Sequence, residues 1–307
     1  MKKVFLFSGQ GSQYIGMLQD YYNNLESVKS ILAKSNDILN FDISQIMFEG
    51  PKEKLTETRY TQVALFLHSA IVYDLIKDKI SNDATAGHSV GEYAALYAAG
   101  VLNFEDALEL VALRGKLMFE AGEKKPGTMF AVIGMEDEKV EDICNELNNE
   151  SEGKVIVPAN FNSTGQVVIS GSRDYLREVS VEFKNRGARM VKELNVSGAF
   201  HSPLLNDAKE ELANKINSLS FNNAKVPVYT NVNAQATSNS DELKELLIAQ
   251  LVSPVRWTQT LQNLKNDGFT SYLEVGAGNV LQGLTKRTIS DVEIFGIDKY
   301  EEYQKIS

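Results

Sequence analysis

The chain predicts an α/β fold: a three-layer core with a mainly parallel sheet, into which a smaller βαββαβ unit of ferredoxin-like order is inserted. Short, near-continuous apolar runs alternate with amphipathic helical patterns, as expected of strands covered on both faces. Between residues 128 and 194 the rhythm changes to strand, helix, hairpin, helix, strand. A Gly-x-Ser-x-Gly sequence, Gly87-His88-Ser89-Val90-Gly91, joins an extended run to a helical one. At 307 residues the chain can hold one large domain or two unequal ones.

In chain order, the first strand is Lys3–Phe7. Its apolar stretch follows two lysines and is too short for a signal peptide or a membrane span. Further strands are predicted at Asp83–Gly87, Val226–Thr230, Ser271–Val275 and Val292–Ile297. Helical patterns cover Gln62–Lys79, Phe104–Glu120, Pro203–Leu219, Asp241–Leu251, Thr258–Asn266 and Asn279–Ser290. The middle reads as strand Thr128–Gly134, helix Asp137–Asn148, hairpin strands Lys154–Phe161 and Gln166–Gly171, helix Arg173–Asn185 and strand Ala188–Leu194. Its ends, Lys125-Pro126-Gly127 and Asn195, are polar or turn-rich. Residues 125–194 are therefore expected to form a small domain, and 1–124 with 195–307 a discontinuous large one. The cleft between them is the expected ligand site.

Hydrophobic content of 43% and charged content of 23% are those of a soluble globular protein. A net charge of −10 argues against general nucleic-acid binding. The single cysteine, Cys144, excludes an internal disulfide and a cysteine zinc site, and its place in the pattern Val140–Leu147 makes it structural.

The Gly-x-Ser-x-Gly turn assigns Ser89 as a nucleophile. The flanking glycines let the backbone fold tightly, and the following helix N-terminus offers free N–H groups to a developing oxyanion. Three histidines compete to be its base. His88 adjoins Ser89 and points away from it, and His68 lies in an apolar helical pattern as a satisfied core histidine. His201, in Val196-Ser197-Gly198-Ala199-Phe200-His201-Ser202-Pro203, sits on a loop able to face the cleft and is the favoured base. Over a hundred residues follow it, which does not fit the Ser–acid–His order of common α/β-hydrolases. A Ser–His dyad held by a backbone carbonyl fits better. The loop Phe7-Ser8-Gly9-Gln10-Gly11-Ser12-Gln13 can bring the N–H of Gln10 beside that of Val90 as a second oxyanion donor. Arg114 shares a helix face with Met118. It pairs either with a structural carboxylate or with the carboxylate of a ligand.

With these residues in place, the chain resembles the malonyl-CoA:acyl carrier protein transacylases. The likeness rests on residues 7–13, on Gly-His-Ser-Val-Gly-Glu at 87–92 and on Leu-Arg-Gly-Lys-Leu-Met at 113–118. It continues through Asn160–Ser163, Gly165–Gly171, Phe200-His201-Ser202, Pro254–Trp257, Glu274–Gly278 and Leu284–Arg287. The resemblance implies a hydrolase-like core with a ferredoxin-like insertion. It implies Ser89 as the acylated nucleophile, His201 as base, and the backbone of Gln10 and Val90 as oxyanion donors. Arg114 would hold the malonyl carboxylate, with Met118, Asn160 and Phe200 lining the acyl pocket. The main-chain carbonyl of Gln250 would orient the histidine. Ser8 and Ala277 stand where the family commonly has proline, which bears on loop stiffness rather than chemistry. Val90 and Ala199–Ser202 resemble malonyl-selective members rather than methylmalonyl ones.

The implied reaction is ping-pong transfer of malonyl from malonyl-CoA to the phosphopantetheine thiol of acyl carrier protein, with no permanently bound cofactor and no metal. The expected setting is cytoplasmic, as a monomer, without membrane or nucleic acid. Carrier proteins of such pathways are acidic, so docking is expected on a basic patch. Lys184, Arg186, Arg189 and Lys192 supply it from the small domain, and Lys286 with Arg287 from the large one. Fatty-acid synthesis is favoured because no fused module is seen. The alternatives are an acyltransferase of a polyketide or polyunsaturated lipid pathway and, more remotely, a serine esterase or thioesterase, a patatin-like lipase or a non-catalytic scaffold.

Overall fold

The structure, a computed structural model, describes residues 1–306. Ten strands form two sheets among the described residues. They are β1 Lys2–Phe7, β2 Ala84–Gly87, β3 Gly127–Ile133, β4 Ile156–Ser163, β5 Gln166–Ser172, β6 Met190–Glu193, β7 Val228–Tyr229, β8 Ala236–Thr237, β9 Phe269–Val275 and β10 Glu293–Ile297. The larger sheet runs β10-β9-β1-β2-β7-β8 and is parallel except for the edge pair β7–β8.

β1 shows why this sheet is parallel and central. Phe5 and Phe7 point into one apolar layer, with Val63, Phe66, Leu67, Tyr93 and Leu108 from the helices Thr58–Ile76, Gly91–Ala98 and Phe104–Lys124. Val4 and Leu6 point into the other, with Trp257, Leu261 and Leu264 of the helix Trp257–Asn266 and Leu281 and Leu284 of the helix Val280–Thr288. Every side chain of the strand centre is thus buried, which an unbroken apolar run requires.

The second sheet is antiparallel and ordered β4-β5-β3-β6. β5 separates β3 from β4, so the first crossover skips a strand, as in a split βαβ unit. One face carries the helices Asp137–Asn149 and Arg173–Asn185 on Phe130, Val132, Phe161, Val167 and Ile169. Cys144 is buried in this layer, and burial pushes its thiol pKa up. The opposite face presents Met129, Ala159 and Val168 to the core of the larger unit. β4 is also tied there by backbone: Val255 N–H donates to the Ala159 carbonyl at 2.8 Å, and Phe161 N–H to the Val255 carbonyl at 2.9 Å.

Some boundaries differ from expectation. β7 is two residues long rather than Val226–Thr230, because Pro227 has no N–H to give and Thr230 N–H turns to Gln235. The helix expected from Gln62 starts at Thr58 and ends at Ile76. Residues 14–57, left unassigned by pattern, contain four short helices: Gln19–Asn24, Glu26–Leu39, Ile43–Glu49 and Lys52–Thr56. His68 is not fully satisfied. Its Nε2 meets the Asp298 carbonyl at 3.0 Å, but its buried Nδ1 has no partner among the described residues.

A Cβ placed on Gly91 would lie 2.1 Å from the Phe7 carbonyl oxygen, whereas one on Gly283 meets only the Arg287 side chain at 3.5 Å. Gly91→Ala is expected to cost about 3 kcal/mol. Gly283→Ala, in an open helical site, should gain roughly 0.5–1 kcal/mol. Urea midpoints of the two variants check the contrast.

Candidate active site

The turn after β2 forces the chain from strand to helix within three residues. Ser89 adopts φ +54°, a left-handed conformation that costs a non-glycine residue about 1 kcal/mol or more. It persists because its surroundings hold it. Ser89 N–H donates to Asn231 Oδ1 at 2.7 Å, and Asn231 Nδ2 donates to the Gly87 carbonyl at 2.6 Å. A Cβ on Gly87 would overlap the Gly91 carbonyl at 2.0 Å, so only glycine permits this turn.

His201 also has a left-handed backbone, φ +54°, and its ring faces the serine. Ser89 Oγ lies 2.8 Å from His201 Nε2. On the far side, Nδ1 lies 2.9 Å from the Gln250 carbonyl and 3.1 Å from that of Ser253. Two carbonyl acceptors fix the proton on Nδ1 and leave Nε2 free to accept the serine proton. Among the described residues, no carboxylate hydrogen-bonds this histidine.

Arg114 is fully buried without an ion-pair partner among the described residues. Its Nη1 donates to Gln62 Oε1 at 2.7 Å, and its Nη2 to Gln250 Oε1 at 3.0 Å and Ser89 Oγ at 3.1 Å. The Tyr93 ring lies 5.5 Å from its guanidinium carbon, and its Nε has no acceptor. The structural-carboxylate alternative is not met: neutral amide oxygens orient the cation and leave its charge uncompensated, save for the buried Glu92 carboxyl behind Gln250.

These groups line a cavity of about 150 Å³ with Gln10, Val90, Met118, Asn160 and Phe200, all expected there from sequence. Met129, Val168 and Asn160 form its roof from the small sheet. The amide N–H groups of Gln10 and Val90 have no hydrogen-bond partner among the described residues. His88 faces away from Ser89: its Nε2 meets Asn162 Oδ1 at 2.8 Å, and its ring stands edge-on to Trp257.

Sequence reasoning gave no role to Gln62, Glu92 or Asn231. Glu92 left a signal as a lone acid in the uncharged run Tyr93-Ala94-Ala95-Leu96, and Gln62 as an amide beginning an apolar stretch. Asn231 left none, since an asparagine after a strand is ordinary turn chemistry. Among the described residues, no group of three or more His, Cys, Asp or Glu could hold a metal, and no helix is long and apolar enough to cross a membrane.

The acyl transferase domain family model matches residues 4–301. A malonyl CoA-acyl carrier protein transacylase of Staphylococcus aureus (strain MRSA252) is 40% identical over 301 residues, covering 98% of this chain and 97% of that protein. The chain belongs to the malonyl-CoA:acyl carrier protein transacylase family. The family member from Haemophilus influenzae is 38% identical over 310 residues, covering 100% of this chain and 98% of its own. Among solved structures, an acyl carrier protein S-malonyltransferase from Vibrio cholerae superposes with TM-score 0.94 at 37% identity over 100% of both chains. A malonyl-transacylase solved in complex with a type II PKS acyl-carrier protein gives TM-score 0.94 at 34% identity, over 100% of this chain and 99% of that one. The family fold is the α/β core with separate antiparallel sheet described above.

Burial first, and then the Arg114 charge, hold the His201 pKa down to about 3, against the two carbonyl hydrogen bonds, which raise it. The imidazole is therefore neutral far below its ordinary value. An ordinary histidine of pKa about 6.5 would lose roughly tenfold of its neutral form between pH 7.5 and 5.5. The rate constant for acylation of Ser89 should instead stay flat across that range. Stopped-flow mixing with malonyl-CoA at each pH checks it.

Proposed function

We propose that this chain moves a malonyl group from malonyl-CoA to the phosphopantetheine thiol of an acyl carrier protein, through a malonyl ester on Ser89. The observation that carries the reading is Arg114: a buried guanidinium with no ion-pair partner among the described residues, whose Nη2 lies 3.1 Å from Ser89 Oγ, in a cavity of about 150 Å³. That cavity is of a size for a short acyl group, with the guanidinium placed to meet a terminal carboxylate.

In the first half-reaction, His201 Nε2 takes the proton from Ser89 Oγ as the oxygen attacks the thioester carbonyl. The N–H groups of Gln10 and Val90 hold the oxyanion. The C–S bond breaks, and the imidazolium returns its proton to the coenzyme A sulfur. In the second half, the carrier thiol gives its proton to His201, attacks the ester, and Ser89 recovers its hydrogen. The malonyl carboxylate has an electrostatic effect as well. Once on Arg114, it offsets the positive charge that depresses His201, so the base strengthens when the donor is seated. No metal and no permanently bound cofactor enters these steps.

The chain divides, on this reading, into a catalytic unit of residues 1–124 and 195–307 and a small unit of 125–194, and acts in the cytoplasm as a monomer. Carrier protein docks on Arg189, Lys192, Lys286 and Arg287, which are exposed and take part in no ion pair among the described residues. Arg186 is excluded because it is occupied by Glu146 and Glu182. Fatty-acid chain elongation is the favoured destination. Delivery to a polyketide carrier is a second reading, supported by the relative solved with a type II PKS carrier, and kcat/KM with each carrier separates the two.

Intact-mass analysis after brief mixing with malonyl-CoA tests the reading. A single malonyl adduct on the wild-type protein, absent from Ser89→Ala, is expected; an adduct of equal yield on the variant overturns the nucleophile. Arg114→Ala leaves the malonate carboxylate buried and unpaired, at a cost of about 2–5 kcal/mol, while acetyl loses no such contact. The ratio of kcat/KM for malonyl-CoA over acetyl-CoA is expected to fall at least thirtyfold. An unchanged ratio would make Arg114 purely structural.

A further inference from the structure

Glu92 is fully buried one helical turn past the nucleophile, and it touches no group that the transfer chemistry uses directly. Its Oε2 accepts two hydrogen bonds from different parts of the molecule. One comes from Asn231 N–H at 3.0 Å, the other from Gln250 Nε2 at 2.9 Å. Its Oε1 has no partner among the described residues. We propose that Glu92 is a positioning residue for acyl transfer, its single oxygen Oε2 fixing both the nucleophile turn and the amide that orients Arg114. The proposal rests on the malonyl-transfer reading above.

Two arms run outward from that oxygen. On the first arm, Asn231 receives Ser89 N–H on its Oδ1 and grips the Gly87 carbonyl with its Nδ2, so it clamps the strained turn from both ends. On the second arm, the Gln250 amide is locked in one orientation. Its Nε2 donates to Glu92 Oε2 and to the Ser89 carbonyl, which turns Oε1 toward Arg114 Nη2. The main-chain carbonyl of the same Gln250 receives His201 Nδ1–H. Without an acceptor at Oε2, the NH₂ group keeps only the Ser89 carbonyl and the Asn231 N–H loses its partner, so the amide that faces Arg114 and the clamp on the turn are both held less tightly.

Burial makes this acid costly, and an apolar side chain of similar size would fill the space without that cost. Burial also raises its pKa to about 7, the hydrogen bonds and the Arg114 charge opposing the rise. Either protonation state serves, because a proton on Oε1 leaves Oε2 free to accept. Reach therefore matters and charge does not, and two small substitutions separate them. Glu92→Gln keeps an oxygen at the position of Oε2 and removes the charge. Glu92→Asp keeps the charge and falls one methylene short, so it can serve one arm but not both.

The test measures kcat/KM for malonyl-CoA and acetyl-CoA in both variants, with circular dichroism to check folding. Glu92→Gln is expected to stay within threefold of wild type on both donors, even though its buried NH₂ lacks an acceptor and lowers Tm. Glu92→Asp is expected to lose at least thirtyfold on malonyl-CoA, with the malonyl-to-acetyl ratio falling at least fivefold. If Glu92→Asp does not fold, Glu92→Met, which fills the volume and offers no oxygen, carries the same expectation. A ratio within twofold of wild type in the tested variant overturns the proposal, as does a Glu92→Gln that loses as much as Glu92→Asp. Wild-type protein that acquires no malonyl adduct on Ser89 overturns the transfer reading, and this one with it. Wild-type protein that acquires the adduct while the variants behave alike overturns this one alone.

Discussion

Everything at the site depends on how closely three backbone segments approach one another at the end of β1 and β2. The Phe7 carbonyl, the Gly87 α-carbon and Gly91 meet at distances that leave no room for a single extra carbon. His88 N–H donates to the Phe7 carbonyl at 3.0 Å, which pins the turn to the neighbouring strand. Because that contact is steric, it does not weaken with salt or pH. It sets the left-handed backbone of Ser89, and the loop carrying Gln10 then arrives beside the serine as the direct continuation of β1. A nucleophile on a flexible loop could make the same hydrogen bonds, but it would pay conformational entropy for them in every turnover.

The remaining partners are brought in by topology. His201 and Gln250 lie 112 and 161 residues from Ser89 in sequence, yet both reach it through hydrogen bonds of 2.8–2.9 Å. The positive charge of Arg114 is oriented by Gln62 and Gln250, whose amide oxygens carry no net charge to cancel it. A carboxylate in either place would have made a stable ion pair and an inert site. The arrangement leaves a buried positive charge without an ion pair among the described residues, next to Ser89 Oγ in a small cavity.

Much of this was legible in the sequence, and the reasons are local. β1 carries an apolar run with no competing pattern, and the helix Arg173–Asn185 begins and ends where its periodicity does. The Gly-x-Ser-x-Gly turn encodes its own geometry, because glycine is needed where the chain approaches itself. β7 was overestimated because Pro227 looks like part of an apolar run but cannot donate to a ladder. The short helices between Gln19 and Thr56 escaped notice, since five to seven residues carry too little periodicity and only the Glu26–Leu39 helix is longer. The candidate site was legible where residue types carry distinctive chemistry, as for Ser89, His201 and Arg114, which the structure brings together. It was not legible at Asn231 or Gln62, which act by holding others in place and look like any amide.

The attachment of β4 to the segment around Val255 has a consequence for timing. The roof is joined to the floor by backbone hydrogen bonds, with His88 and Asn162 adding a side-chain bond nearby, so any opening at that edge must break them. A two-step transfer leaves an ester on the enzyme after the first product has gone, and that ester must outlast the wait for the second thiol. Water is the competitor during the wait, at a concentration no carrier can match. On the proposed two-step route, the apolar side chains of Met129 and Val168 in the roof leave less room for water beside that ester. On that route, the time for which the ester survives sets the lowest carrier concentration at which transfer outruns hydrolysis.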